Sequence, residues 1–153
     1  MKPIAVVLLF AAFAWPAGDP AGFYLWKSAE LKGFAKTLAP KLNDKHVASQ
    51  PIASFGNYNF QIAHREGSGE GEWHEKMADV FFVQSGEATL IYGGELVDGK
   101  TTAPGEMRSA SIQGGMEKKI AAGDVVTIPV KVAHQMKLAP GKEITYFVVK
   151  VAQ

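Results

Sequence analysis

The chain predicts an all-β barrel or sandwich with one short helix ahead of it. Three observations carry that reading. From residue 57 onward, apolar and polar residues alternate in short runs, the period of strands. Glycine, proline and serine clusters punctuate those runs at close intervals, as in a closed or stacked β architecture. Only residues 28–38 show helical spacing instead. The 153 residues, 47% hydrophobic and 20% charged, suit one domain with a real core.

The elements follow in order. Lys2 gives a short positive start, and residues 4–13 are an uncharged apolar run too short to cross a bilayer comfortably. Ala12, Phe13 and Ala14 form a small-residue cleavage pattern, so residues 1–14 read as a secretory signal and the protein as periplasmic or secreted. Cleavage there removes Lys2 alone among the charges and takes the net charge from +1 to 0. The chain has no cysteine, which excludes a lipoprotein anchor, disulfides and a thiolate zinc site. No stable membrane anchor is expected. No basic run appears either, so nucleic acid is not an expected partner.

Residues 15–54 read as a loop and a helix. Gly18, Pro20 and Gly22 mark the loop. Ser28 is the candidate cap, Leu31, Phe34, Ala35 and Leu38 form one apolar stripe, and Pro40 stops the helix. The barrel is expected over residues 55–153. In its first strand Tyr58, Phe60, Ile62 and His64 share one face, Asn59, Gln61, Ala63 and Arg65 the other. A Gly67-Ser68-Gly69 loop leads to strands at 72–74, 80–83 and 87–92, with a turn at Ser85-Gly86. Residues 95–122 are polar and glycine-rich, a long hairpin or lid with a short strand around 108–112. Strands at 125–128, 133–138 and 144–151 complete the series.

Chemistry concentrates in two places. Glu72 and His74 share a strand face and precede Asp79 and Gly86; Gly123 and Pro129 precede His134. If Asp79 points inward, so do Phe81 and Val83; if His134 does, so do Met136 and Leu138. Two imidazoles and two carboxylates on otherwise apolar faces suit a borderline divalent ion such as iron, manganese, nickel or zinc. The same residues also suit polar groups buried in a core for packing alone. His64, on the face of Tyr58, Phe60 and Ile62, is the candidate general base, and Glu75 a second proton carrier. Trp73 and Arg65 alternate off the ligand face.

These two halves resemble the paired motifs of the cupin superfamily. His74 stands at the first motif's second histidine, Glu72 at its first histidine, Asp79 at its glutamate and Gly86 at its closing glycine. Gly123, Pro129 and His134 match the second motif, with Lys131 at a glycine position and Leu138 at an asparagine position. The resemblance implies a double-stranded β-helix (jelly-roll) barrel with the helix packed outside. It implies a divalent metal held by Glu72, His74, Asp79 and His134, and a homodimer. The function it implies is a metal-dependent enzyme, an oxygenase first, acting on a small organic molecule. The alternative is a non-catalytic module for a sugar or organic acid.

Overall fold

The computed structural model describes residues 18–153, so the expected signal over residues 1–14 lies outside the described residues. Helix α1 spans Ser28–Leu38. Its first turn differs from expectation. The Lys27 amide donates to Glu30 Oε2 at 2.8 Å, so Lys27 is the cap and Ser28 is already helical. A 3-10 turn, Ala39–Lys41, ends it around Pro40. Leu31, Phe34 and Leu38 pack with Trp26, Ile62 and Phe147. The apolar stripe therefore seats the helix on the outside of a sheet.

The strands are β1 (Val47–Phe55), β2 (Tyr58–Arg65), β3 (Gly71–His74), β4 (Met77–Tyr92), β5 (Glu95–Leu96) and β6 (Lys100–Ala103). They continue with β7 (Glu106–Ser109), β8 (Ile112–Gln113), β9 (Met116–Ala121), β10 (Val125–Ile128), β11 (His134–Lys137) and β12 (Ile144–Ala152). All pairings are antiparallel. β1, β2, β12 and the first half of β4 run side by side, with β10 on β4. The second half of β4 pairs with β9 and β11, and β3, β7 and β6 follow from β11. β4 thus belongs to both curled sheets. β5 and β8 form a small separate ribbon.

Three expectations change. β1 lies within the segment read as loop and helix, so the barrel begins before residue 55. The strands expected at 80–83 and 87–92 are one, because the chain runs on through Gly86 instead of reversing, with a bulge just ahead of it at Gln84. The register opposite shifts between Thr145 and Tyr146, and Gly86 carries φ of 76°. The 95–122 segment holds five short strands, β5 to β9, rather than one hairpin. The longest of them, β9, pairs along the second half of β4.

Inner and outer faces follow from register. Gln61, Val148 and Phe81 are neighbours across three strands, as are Ala63, Tyr146 and Val83. These residues, except the polar Gln61, join Leu90, Ile128 and Met136 in the barrel core. Ile62, Phe147 and Phe82 sit one residue out of phase, on the helix side.

Candidate metal centre

β3 and β11 are direct neighbours, with His134 opposite Glu72. The turn before β11 is tied to the end of β3 by the Lys131 amide, which donates to the His74 carbonyl at 2.8 Å. Lys131 adopts φ of 62°, the left-handed conformation usually given to glycine. This local geometry sets one imidazole against the other, with ring centroids 5.3 Å apart. Glu72, His74 and His134 each offer a ligand atom, all within 4.8 Å of one another. Asp79, from β4, places Oδ2 3.4 Å from Nε2 of both His74 and His134.

The outward nitrogens are occupied. His74 Nδ1 lies 2.6 Å from Glu106 Oε2, and His134 Nδ1 lies 3.1 Å from the Val132 carbonyl. Both partners are acceptors, so each Nδ1 carries hydrogen. The Nε2 atoms are left facing the site, the arrangement in which an outer partner orients an imidazole toward a metal. Among the described residues, His134 Nε2 is buried and has no hydrogen-bond partner. An orphaned buried nitrogen costs free energy unless a ligand completes it. With a carboxylate beside the two imidazoles, the residues fit a divalent cation.

The electrostatics are strongly coupled. Burial opposes ionisation of Glu72, yet His74, Arg108, His134 and Lys150 hold its carboxyl down at about 2. Burial opposes protonation of His74, but Asp79 and Glu72 outweigh it and raise the imidazole to about 9. Asp79 is held far below the usual carboxylate range, against its burial, by His134, His74 and Lys150.

Lys150, on β12 opposite Asp79, is a site residue that the sequence reading misses. Its Nζ is 2.7 Å from Asp79 Oδ1 and 3.3 Å from His74 Nε2. Its parity with the inward Tyr146 and Val148 is the signal that could have found it. Arg108 and Glu106, both on β7, are missed as well; they reach the site only through the β3–β7 pairing. Arg65 corrects an expectation: it lines the cavity instead of lying off it. That cavity, of ≈ 300 Å³, runs along the barrel interior over Glu72, Asp79 and His134.

His64 is not at this cavity. It lies on the opposite face of β2 from Ala63 and Arg65, and its Nδ1 is 2.8 Å from Thr145 Oγ1. The expected phase of β2 is therefore inverted, because its apolar face is the outer one, covered by α1, while Gln61 and Arg65 face the cavity. Glu75 is exposed in the turn between β3 and β4, where its amide donates to the Gly105 carbonyl at 2.8 Å. It too stands away from the cavity-lining residues. Phe81, Met136 and Tyr146 do line the cavity, as their parity predicts.

No protein-family model and no curated protein matches the chain in sequence. Solved structures match it in three dimensions. TT1209 from Thermus thermophilus has a TM-score of 0.54 at 18% identity, over 76% of this chain and 92% of that one. A cupin 2 conserved barrel domain protein from Rhodopseudomonas palustris has a TM-score of 0.50 at 18% identity, over 70% and 61%. An oxalate oxidase has a TM-score of 0.52 at 13% identity, over 72% of this chain and 53% of the oxidase. The chain has the cupin barrel fold.

Proposed function

We propose that the protein is a divalent-metal-dependent enzyme acting on a small organic molecule inside the barrel. The observation that carries this reading is the pair of imidazoles whose Nδ1 atoms are engaged and whose Nε2 atoms face Glu72 and each other. Glu72, His74 and His134 would hold the metal. Asp79 is the further candidate ligand, with one oxygen already bound by Lys150. A bound metal would supply Lewis-acid or redox chemistry, and two histidines with one carboxylate is a donor set used by iron(II) oxygenases. Oxygen-dependent oxidation is therefore the first reaction class to test. Kinship of fold with an oxalate oxidase is compatible with that class without selecting it.

The protein's own groups divide the remaining work. Glu106 fixes the His74 ring. Phe81, Leu90, Met136 and Val148 give part of the cavity apolar walls, next to which electrostatic interactions are stronger than in water. Lys150, within reach of Asp79 and His74, is the group placed to carry a proton, the task expected of His64 and Glu75. Lys150 also favours a second reading. An ammonium already beside His74 and Asp79 can supply the cation a metal would bring, leaving a metal-free barrel that binds a small ligand without turnover.

Elemental analysis separates the two. Untagged protein, purified without chelator, is compared with a His74→Ala/His134→Ala variant. Near-stoichiometric iron, manganese, nickel or zinc, lost in the variant, is the expected result. A wild-type protein that is empty and takes up no added divalent ion overturns the metal-dependent reading.

A further inference from the structure

The cavity collects an unusual number of cations for a buried space. Among the described residues, Arg65, Arg108 and Lys150 line it together with only two carboxylates, Glu72 and Asp79. Counting the imidazoles as neutral, the form that ligates a metal, three positive and two negative charges leave the lining at +1. Glu106, just outside the lining, is engaged with His74 Nδ1 and with Arg108 Nη1 at 3.3 Å. A divalent ion on Glu72, His74 and His134 would add two charges and raise the lining from +1 to +3. Uncompensated charge of this size in a partly desolvated space is costly, so a bound ligand that supplies negative charge is strongly favoured.

The two guanidiniums give that charge a shape. Arg65 donates from Nε to Tyr146 Oη at 2.8 Å, which turns its outer edge toward Glu72. Its Nη2 stands 3.6 Å from Glu72 Oε1, and Arg108 Nη2 stands 3.5 Å from Glu72 Oε2. Both separations exceed those of a charge-assisted hydrogen bond, so neither fork is closed on Glu72. Arg65 is 11% and Arg108 28% exposed at the side chain, screened enough to act at close range and open enough to be met. Ala63, Phe81, Leu90, Met136 and Val148 add apolar wall to the same cavity, beside the polar Ser49 and Gln61. The volume, ≈ 300 Å³, sits at the small end of ligand pockets.

We infer that the ligand of this cavity is a small monocarboxylic or dicarboxylic acid with an apolar body, its carboxylate received by Arg65 and Arg108 above the His74–His134 pair. This deepens the metal-dependent reading and rests on it for the position of the reacting end. The guanidinium cradle itself exists without a metal. Planar bidentate recognition selects a carboxylate over an isosteric neutral amide, which repeats the shape without the charge.

The test uses the full chain, both as purified and after dialysis against chelator, with metal content measured on each sample. Acetate and acetamide, and benzoate and benzamide, are titrated calorimetrically. At least one acid should bind about tenfold or more tighter than its amide, and Arg108→Gln should remove most of that preference at unchanged metal content. Arg108 is the better probe, since Arg65 is buried against Tyr146 and its loss risks the fold; unchanged thermal unfolding of Arg108→Gln confirms a folded variant. Stoichiometric metal with no acid-over-amide preference in either pair overturns this inference and leaves the metal reading standing. A preference that survives Arg108→Gln also overturns it. An Arg108-dependent preference in a protein that binds no metal supports the acid assignment while the metal reading falls.

Discussion

Glu106 illustrates how one side chain outside the cavity governs one inside it. Its carboxylate accepts from His74 Nδ1 at 2.6 Å and meets Arg108 Nη1 at 3.3 Å. It thereby fixes the tautomer and the ring plane of His74 and steadies a guanidinium of the cradle. Glu106→Ala should weaken divalent-metal binding about 10- to 100-fold while the fold persists, as loss of an outer partner of a metal-binding histidine generally does. Competition with a chromophoric chelator measures it; unchanged affinity would mean that the barrel alone orients His74. His74 and His134 are legible in the sequence because their spacing from Asp79, Gly86, Gly123 and Pro129 is a local pattern. Glu106, Arg108 and Lys150 are not, because each joins the site through pairing with a strand far away in the chain. The misplacement of His64 has a different cause. The apolar face of β2 is the one turned to α1, while its cavity face carries the polar Gln61 and Arg65, so taking the apolar face as the inner one inverts the strand.

Among the elements, β4 does the most to shape the site. Its sixteen residues carry Asp79, Phe81 and Val83 in one sheet and Leu90 in the other. The change of sheet occurs at Gly86, whose φ of 76° disfavours any side chain. A Cβ there would also overlap the Glu143 carbonyl, which approaches to accept from the Glu87 amide at 3.0 Å. Gly86→Ala should therefore cost about 3 kcal/mol or more, combining a left-handed conformation with a backbone clash. Urea unfolding reads this directly, and a loss under about 1 kcal/mol would show that the backbone around Gly86 relaxes freely. The glycine is visible in the sequence as a break. Whether it reverses the strand or bends it is not, since both need the same residue. Helix α1 is legible almost to its ends, because an amphipathic stripe stopped by a proline is a short-range signal.

At the scale of the molecule, the cavity lies where two sheets that share β4 close on each other, and a ligand there touches both. Glu72, His74 and His134 come from β3 and β11, while Asp79 and Lys150 come from β4 and β12 on the other sheet. A metal bound at these residues exists only in the folded state, so it should stabilise the whole barrel. At free metal one hundred times the dissociation constant the gain is about 2.7 kcal/mol, or roughly 5–10 °C in midpoint for a chain of this size. Thermal unfolding with and without the metal found by elemental analysis checks this. A midpoint unmoved by a metal shown to bind would place the binding site outside the cooperative unit.

Local pattern in the chain is enough to specify the β class, the amphipathic helix, the inward parity of β4 and β11, and the pair of histidines with Glu72 and Asp79. Each of these is a short-range property: a period, a break or a spacing. Everything else about the site is settled in three dimensions. Folding chooses the inner face of β2 and joins two expected strands through Gly86. It leaves His64 and Glu75 outside the cavity and brings in Arg65, Arg108 and Lys150. The reason is register. Pairing between strands distant in the chain sets which residues face one another, and no local pattern encodes that pairing.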